Sequence, residues 1–190
     1  EISKDIENKE IIVVDDNSPD GTYSVCKAEF EKNDRIKILL RTSNKGLANS
    51  IAEGIKISKG KNIIVMDTDL THDPKLIPKL IYLIKEYDII SCSRYSAGGS
   101  MENKIHYYFS FVFNLILRII LRTQIQDNLG GYYCIKKNVL DLLPREKIFF
   151  GYGEYFFRLL YFAQEKKFTI IEIPAVYNLR HKGKSKSNFL

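Results

Sequence analysis

Asp67 and Asp69 stand one residue apart where the apolar run Asn62-Ile-Ile-Val-Met66 stops. A buried strand that breaks into Asp-Thr-Asp delivers two anionic oxygens to the carboxyl edge of a sheet, where open α/β sheets bind ligands. Two carboxylates at that spacing can hold a hard divalent cation, and Mg2+ or Mn2+ completes its shell with substrate phosphates. The chemistry implied is that of a nucleotide or a nucleotide sugar. Taken alone, Asp-x-Asp also caps helices and solvates turns, so its surroundings must decide. A second acidic stop, Asp15-Asp16-Asn-Ser-Pro-Asp20, follows the run Glu10-Ile-Ile-Val-Val14.

The elements that would position these groups alternate. Strand Glu10–Val14 is followed by a polar helix from about Tyr23 to Lys32 and by the strand Ile36–Leu40. Asn44-Lys-Gly46 opens a second helix to about Ser58, with Leu47, Ile51 and Ile55 on one face. After strand Asn62–Met66, Pro74 sits near the first turn of a helix to about Glu86, with Leu76, Leu80 and Leu83 inward. Strand Asp88–Cys92 comes next. Strands alternating with helices over the first 92 residues predict βαβ units and a mainly parallel sheet. Right-handed crossovers then put both acidic turns, 15–20 and 67–69, on one edge.

The second half changes character. Ile105 to Leu121 is apolar and aromatic, yet His106, Ser110, Asn114, Arg118 and Arg122 recur at every fourth position. On a helix this makes one polar seam around an apolar cylinder. At ~1.5 Å per residue the span is about 26 Å, short of the ~30 Å hydrocarbon core. Two readings stay open: an interfacial helix that packs on the sheet and faces lipid elsewhere, or a core helix with a solvated stripe. A short strand (about Gly131–Ile135), a helix from about Asn138 to Leu142 and a helix around Glu154–Gln164 follow. Strands Phe168–Ile173 and Ala175–Leu179 lead into the basic run Arg180-His-Lys-Gly-Lys-Ser-Lys186.

The chain has 190 residues, 45% hydrophobic and 27% charged, which suits one soluble domain with a real core. Its net charge of +6 predicts anionic partners: nucleotides, phosphorylated lipids, an acidic membrane surface or nucleic acid. The basic run near the C-terminus either concentrates that charge for binding or is a solvated tail. Cys26, Cys92 and Cys134 are far apart and odd in number, so neither a disulfide framework nor a zinc pattern follows and a reducing compartment is the default. No signal peptide or repeat is visible.

Several motifs stand in order. They are Val14-Asp-Asp16-Asn-Ser-Pro-Asp-Gly-Thr22, Asn44-Lys-Gly46 with Ala52 and Gly54, and Asp67-Thr-Asp69-Leu-Thr-His-Asp-Pro74. Ser93-Arg94-Tyr95 with Gly98-Gly99, Asp127-Asn-Leu-Gly-Gly131, Glu172-Ile-Pro174 and Arg180-x-x-Gly183-x-Ser185-Lys186 complete the series. With this series the chain resembles the family 2 glycosyltransferases, and within them the dolichyl (polyprenyl) phosphate mannosyltransferases. The resemblance implies an α/β fold of the GT-A nucleotide-sugar transferase type: a Rossmann-like, mainly parallel sheet with an added interfacial helix. It implies one catalytic domain over residues 1–190, with a nucleotide-sugar half (1–92) and an acceptor half (93–190).

The resemblance also implies roles. Val14 and Asp16 would line the base pocket. Asp67 and Asp69, with Thr68 through its backbone, would hold the sugar diphosphate and its Mg2+ or Mn2+, with Thr71 as a third metal-proximal side chain. Arg94, Arg180 and Lys186 would contact the phosphates of donor and acceptor, and Asp69 and Arg94 would be catalytic. The activity implied is inverting transfer of a hexose, mannose first, from a nucleotide diphosphate sugar such as GDP-mannose to a polyprenyl or dolichyl phosphate. A lipid phosphate attacks without a general base, so metal and arginine need only neutralise the departing diphosphate. The place implied is the cytoplasmic face of a membrane, held peripherally or through an anchoring segment or subunit.

The chain departs from the family pattern at several points. It has no Trp, and the position of an acceptor-phosphate arginine falls on His106, beside Lys104 and one turn before Ser110. The seam is thus either an acceptor-phosphate track or a solvated stripe. Gly131-Tyr132-Tyr133 stands where the family carries an arginine, and Glu154 stands near the family's Phe-Gln-x-Glu segment. No Pro-x-Tyr-Asn-Glu type motif precedes Glu10, so an N-terminally truncated chain with little activity alone is expected. Other classes are a transferase using UDP-glucose, one acting on a saccharide acceptor with Glu154 or Asp127 as base, and a degenerate nucleotide-sugar binding subunit. A nucleic-acid partner is not expected, because no recognition helix or stacking aromatic motif is present.

Overall fold

The computed structural model describes residues 9–179, so the expectations placed on Arg180 and Lys186 lie outside the described residues. The β-branched run Ile11-Ile-Val-Val forms strand β1 (Ile11–Asp15), which pairs in parallel with β2 (Ile36–Leu40) in the register Ile11↔Ile36 to Asp15↔Leu40. Between them runs α1 (Thr22–Phe30), begun where the Asp20 carboxylate accepts the Thr22 N–H at 3.0 Å. It buries none of its residues, as its polar composition requires. Helix α2 (Leu47–Ile57) is amphipathic and buries Ala48 and Ile55. Gly54 lets it approach β1: a Cβ there would lie 3.1 Å from the Val14 side chain.

Chain order continues with β3 (Asn62–Val65), a 3-10 turn (Pro74–Leu76), α3 (Ile77–Leu83), β4 (Ile89–Ser93) and the short β5 (Ser100–Met101). Then come α4 (Lys104–Leu121), β6 (Tyr133–Lys136), α5 (Lys137–Asp141), α6 (Arg145–Ile148), α7 (Tyr155–Glu165), β7 (Ile170–Pro174) and β8 (Val176–Tyr177). Four strands make the central sheet in the order β3-β6-β4-β7. The β4–β7 pair is parallel, while β6 is inserted antiparallel between β3 and β4. Beside it, β5 and β8 form a parallel pair. The sheets are mostly parallel, as expected, and strands from both halves of the chain interleave in one of them.

Both faces of the central sheet are covered, so its strands alternate between two apolar clusters rather than between core and water. Ile89, Tyr133 and Ile135 face α2 and α7, among Ala48, Ile55, Phe156, Leu159 and Leu160. Ile90, Cys92, Tyr132 and Cys134 face the other way, among Leu80, Ile84, Ile173 and Tyr177. Two elements were not anticipated. Strand β5 exists because Gly98-Gly99 turns the chain against the end of β4, where a Cβ on Gly99 would meet the Ser93 carbonyl at 2.4 Å. Helix α6 is one turn begun after Pro144.

Helix α4 reverses the arrangement of an ordinary surface helix. Its buried residues are Ser110, Asn114 and Leu117, while Ile105, Tyr108, Phe109, Val112, Ile119 and Ile120 are exposed. The polar seam faces the protein over Ser110 and Asn114, where the Asn114 side chain accepts the Asn128 N–H at 2.7 Å and donates to the Ser110 carbonyl at 2.9 Å. A core helix with a solvated stripe is not what forms. The helix is 18 residues long with a mean hydropathy of 1.3, and only 17% of it is buried.

Candidate functional site

The turn after β3 is fixed residue by residue. Thr71 donates both its N–H (3.0 Å) and its hydroxyl (2.7 Å) to one Asp69 oxygen, an Asx turn that aims the carboxylate. Leu70 between them has φ 66°, a left-handed conformation costing a branched side chain about 1–2 kcal/mol. Such strain persists only where the surroundings over-determine the backbone. Here the Asn178 N–H donates to the Thr71 carbonyl at 3.0 Å, and the Asn178 amide to that of Leu70 at 3.5 Å. The Asp67 N–H donates to Nδ1 of His72 at 3.0 Å.

His72 was not singled out from the sequence. Its ring is buried, stacked on Tyr132 (centroids 4.9 Å, planes 14° apart) and met edge-on by Tyr177 at 4.6 Å. Burial pushes its imidazole below the usual range, against the pull of Asp67 and Asp69. The only sequence signal was its place in the run Asp67-Thr-Asp69-Leu-Thr-His72.

Among the described residues, no three or more His, Cys, Asp or Glu side chains gather into a metal cluster. Asp67 and Thr68 are exposed and Asp69 is half-buried. Two hard oxygen donors on a rigid turn fit Mg2+ or Mn2+, which take one or two carboxylates and complete their shell with phosphate and water. Thr71, expected beside the metal, orients Asp69 through its hydroxyl.

At the end of β1, Asp16 joins two loops. One of its oxygens accepts from Arg41 at 2.5 Å and the other from the Gly46 N–H at 2.6 Å. Arg41 is itself buried and bonds Ser50 and the Asn44 carbonyl. Partial burial would raise the Asp16 carboxyl, but the Gly46 N–H, Ser50 and Arg41 hold it below the usual carboxylate range. Val14 is half-buried beside Gly54.

Arg94 is placed differently from what the resemblance implied. It lies in the interior, 5% exposed, with Nε on one Asp127 oxygen at 2.8 Å and a terminal nitrogen on the other at 2.7 Å. Asp127 is fully buried and also receives the Arg94 N–H. Tyr95 and Tyr177 flank the guanidinium at 5.2 and 5.1 Å. A guanidinium so committed organises the ends of β4 and β8 rather than facing a solvent-borne phosphate, and a carboxylate so paired is no general base. Glu172 on β7 accepts the Gln126 and Asp127 N–H groups at 2.7 and 2.8 Å. Gly130 is pressed against this assembly, since a Cβ would lie 2.9 Å from the Tyr177 hydroxyl.

The acceptor candidates divide. Lys104 is exposed, with its ammonium 5.9 Å from the Tyr107 ring centroid, and His106 is half-buried in the first turn of α4 under the Asn103 cap. Ser110 is buried inside the seam. Glu154 is exposed and accepts the Tyr152 N–H at 2.9 Å, in the loop whose Gly151 carbonyl approaches Gly46. Leu179, the last described residue, is held by Glu102 at 2.5 Å.

A family model described as Glycosyl transferase family 2 matches residues 2–143. The chain is 35% identical over 184 residues to a dolichol-phosphate mannosyltransferase of Pyrococcus furiosus, covering 94% of this chain and 51% of that protein. It is 28% identical over 187 residues to a protein of the same name from Mycosarcoma maydis, covering 97% and 63%. It thus spans about half to two thirds of the length of these relatives. Among solved structures, glucosyl-3-phosphoglycerate synthase from Mycobacterium tuberculosis, in complex with Mn2+, UDP and glucosyl-3-phosphoglycerate, superposes with a TM-score of 0.68. The identity there is 14%, over 93% of this chain and 62% of that one, a likeness of fold alone.

Proposed function

The chain belongs to glycosyl transferase family 2, and from that premise we propose that it transfers a hexose, mannose first, from a nucleotide diphosphate sugar such as GDP-mannose to a polyprenyl or dolichyl phosphate. The observation that supports this most is the rigid Asp67–Thr68–Asp69 turn, stitched by Asn178 to the strand that runs into the basic segment. Asp67 and Asp69 would present oxygens to a divalent cation, Mg2+ or Mn2+, with the Thr68 backbone beside them on the sugar diphosphate, and Thr71 keeps Asp69 aimed. When bound, that cation supplies charge neutralisation to the departing diphosphate. Arg180 follows directly on the anchored Leu179, and with Lys186 it would reach the phosphates. Val14 and Asp16 flank the base, Asp16 doing so through the Asn44–Gly46 loop that it holds.

In the step itself, an oxygen of the acceptor phosphate attacks the anomeric carbon as the bond to the nucleoside diphosphate breaks, inverting that centre. A phosphate nucleophile needs no proton removed. A saccharide hydroxyl would need a base, and Asp127 is committed to Arg94. Lys104 and His106, at the first turn of α4, would receive the acceptor's charge, with Ser110 buried on the inner face of the helix. The exposed apolar face of α4 would lie at the cytoplasmic surface of a membrane, parallel to it, where polyprenyl chains reside. Residues 1–190 would act as one catalytic domain.

The test is direct. The protein, with whatever sequence its gene places on either side, is incubated with radiolabelled GDP-mannose or UDP-glucose, Mn2+ and a polyprenyl phosphate. Label in the lipid extract is expected, more from GDP-mannose. Label only on a saccharide would shift the reading to Glu154 as base. Binding of donor without transfer would make the protein a nucleotide-sugar binding subunit.

A further inference from the structure

We propose that His72 is a positioning residue that sets the Asp67–Thr68–Asp69 turn for its cation, by accepting the Asp67 N–H on Nδ1 while Tyr132 and Tyr177 clamp its ring. This rests on the reading of that turn as a cation site. The bond spans five residues and closes the turn on its buried side. The Asp67 carboxylate is exposed, but the backbone beneath it is tied to a ring that is 2% exposed. An imidazole that accepts at Nδ1 carries its proton on Nε2, so the bond also fixes the tautomer.

The ring is clamped on two sides. Tyr132 stacks on it and is itself fastened by its hydroxyl to the Asp73 carbonyl at 3.1 Å. Tyr177 meets it edge-on, with its own hydroxyl directed to the Cys92 carbonyl at 3.4 Å. Asp73 in turn caps the 3-10 turn through the Lys75 N–H at 2.9 Å. His72 is thus a post held between Tyr132, just before β6, Tyr177 on β8 and the acidic turn, while Leu70 at φ 66° shows the turn held away from its relaxed shape. Groups that orient ligating carboxylates from behind change metal affinity about 10–100-fold when removed.

Two substitutions separate positioning from packing. His72→Phe keeps a ring for the tyrosine clamp and removes the acceptor. His72→Asn places an amide oxygen near the former Nδ1 and gives up the ring. Mn2+ affinity is measured by electron paramagnetic resonance with GDP or UDP present, beside thermal melting of each variant. The expected result is an affinity loss of about tenfold or more in His72→Phe with its melting temperature largely kept. His72→Asn should bind closer to wild type despite melting lower. Equal Mn2+ affinity in His72→Phe and wild type overturns the role of His72 alone. So do losses that simply track melting temperature in both variants. If wild type and Asp69→Asn take up Mn2+ alike, the cation reading of the turn fails and the inference falls with it.

Discussion

Arg94 and Asp127 meet edge to edge in the protein interior, through two hydrogen bonds of 2.7 and 2.8 Å from the guanidinium to the two carboxylate oxygens. The pair joins the end of β4 to the loop that Glu172 and Asn114 also hold. Burial works against the Arg94 charge, but Asp127 raises its affinity for the proton overall.

Removing one partner should therefore be severe. Asp127→Ala leaves a buried guanidinium uncompensated and is expected to cost about 3–5 kcal/mol in urea denaturation. Combining Arg94→Met with Asp127→Leu should recover much of that stability. Recovery stays incomplete, because the Arg94 and Leu129 N–H groups lose the Asp127 acceptor.

Asp69→Asn keeps an oxygen for the Thr71 N–H and hydroxyl while removing the charge. Transfer to polyprenyl phosphate should fall by about two orders of magnitude or more, since each ~1.4 kcal/mol of lost transition-state stabilisation is tenfold. The melting temperature should change little. A variant with wild-type turnover in Mn2+ would remove the role assigned to Asp69.

Asp16 gives a pH signature. Its folded-state pKa lies below the unfolded value, so the unfolded chain binds more protons in acid and stability rises with pH. The contribution is complete above the unfolded pKa of about 3.9 and is lost as pH falls through the folded one. Melting temperature measured from pH 6 down to pH 3 should drop less steeply in Asp16→Asn than in wild type. An unchanged slope would show that the Arg41 and Gly46 contacts do not favour the charged form.

Helix α4 supplies a contrast between its two faces. Asn114→Leu leaves the buried Asn128 N–H without its acceptor and should cost about 1–3 kcal/mol. Replacing exposed Ile119 and Ile120 by Ser should stay within about 0.5 kcal/mol each. The same pair should weaken sedimentation with anionic lipid vesicles, while Asn114→Leu, so far as it folds, should not.

Local order was legible because it depends on neighbours in sequence. Strand β2 was read with its observed bounds, Ile36–Leu40, since polar turns bracket a short apolar run. The acidic turns after β1 and β3 were legible for the same reason. The place of β6 was not: its partners Ile63–Val65 and Ile89–Ser91 are tens of residues away, and a run of Tyr, Cys and Ile fits any interior strand. Periodicity revealed the seam on α4 but not its direction. That depended on Asn128 supplying a partner for Asn114 across a loop.

The candidate site shows the same division. By itself the sequence determined which chemical groups stand at the ends of strands: two carboxylates after β3, the acidic run Asp15–Asp20 after β1, and a basic run after the last strand. Those follow from residue type and spacing. Tertiary structure decided which polar groups are consumed inside the protein and which stay turned outward. Arg94 and Asp127 satisfy each other and His72 satisfies the backbone of Asp67, while Thr71 occupies one Asp69 oxygen and aims the carboxylate. The physical reason is that a buried polar group must find its hydrogen-bond partner in space, and for Arg94 that partner lies 33 residues along the chain.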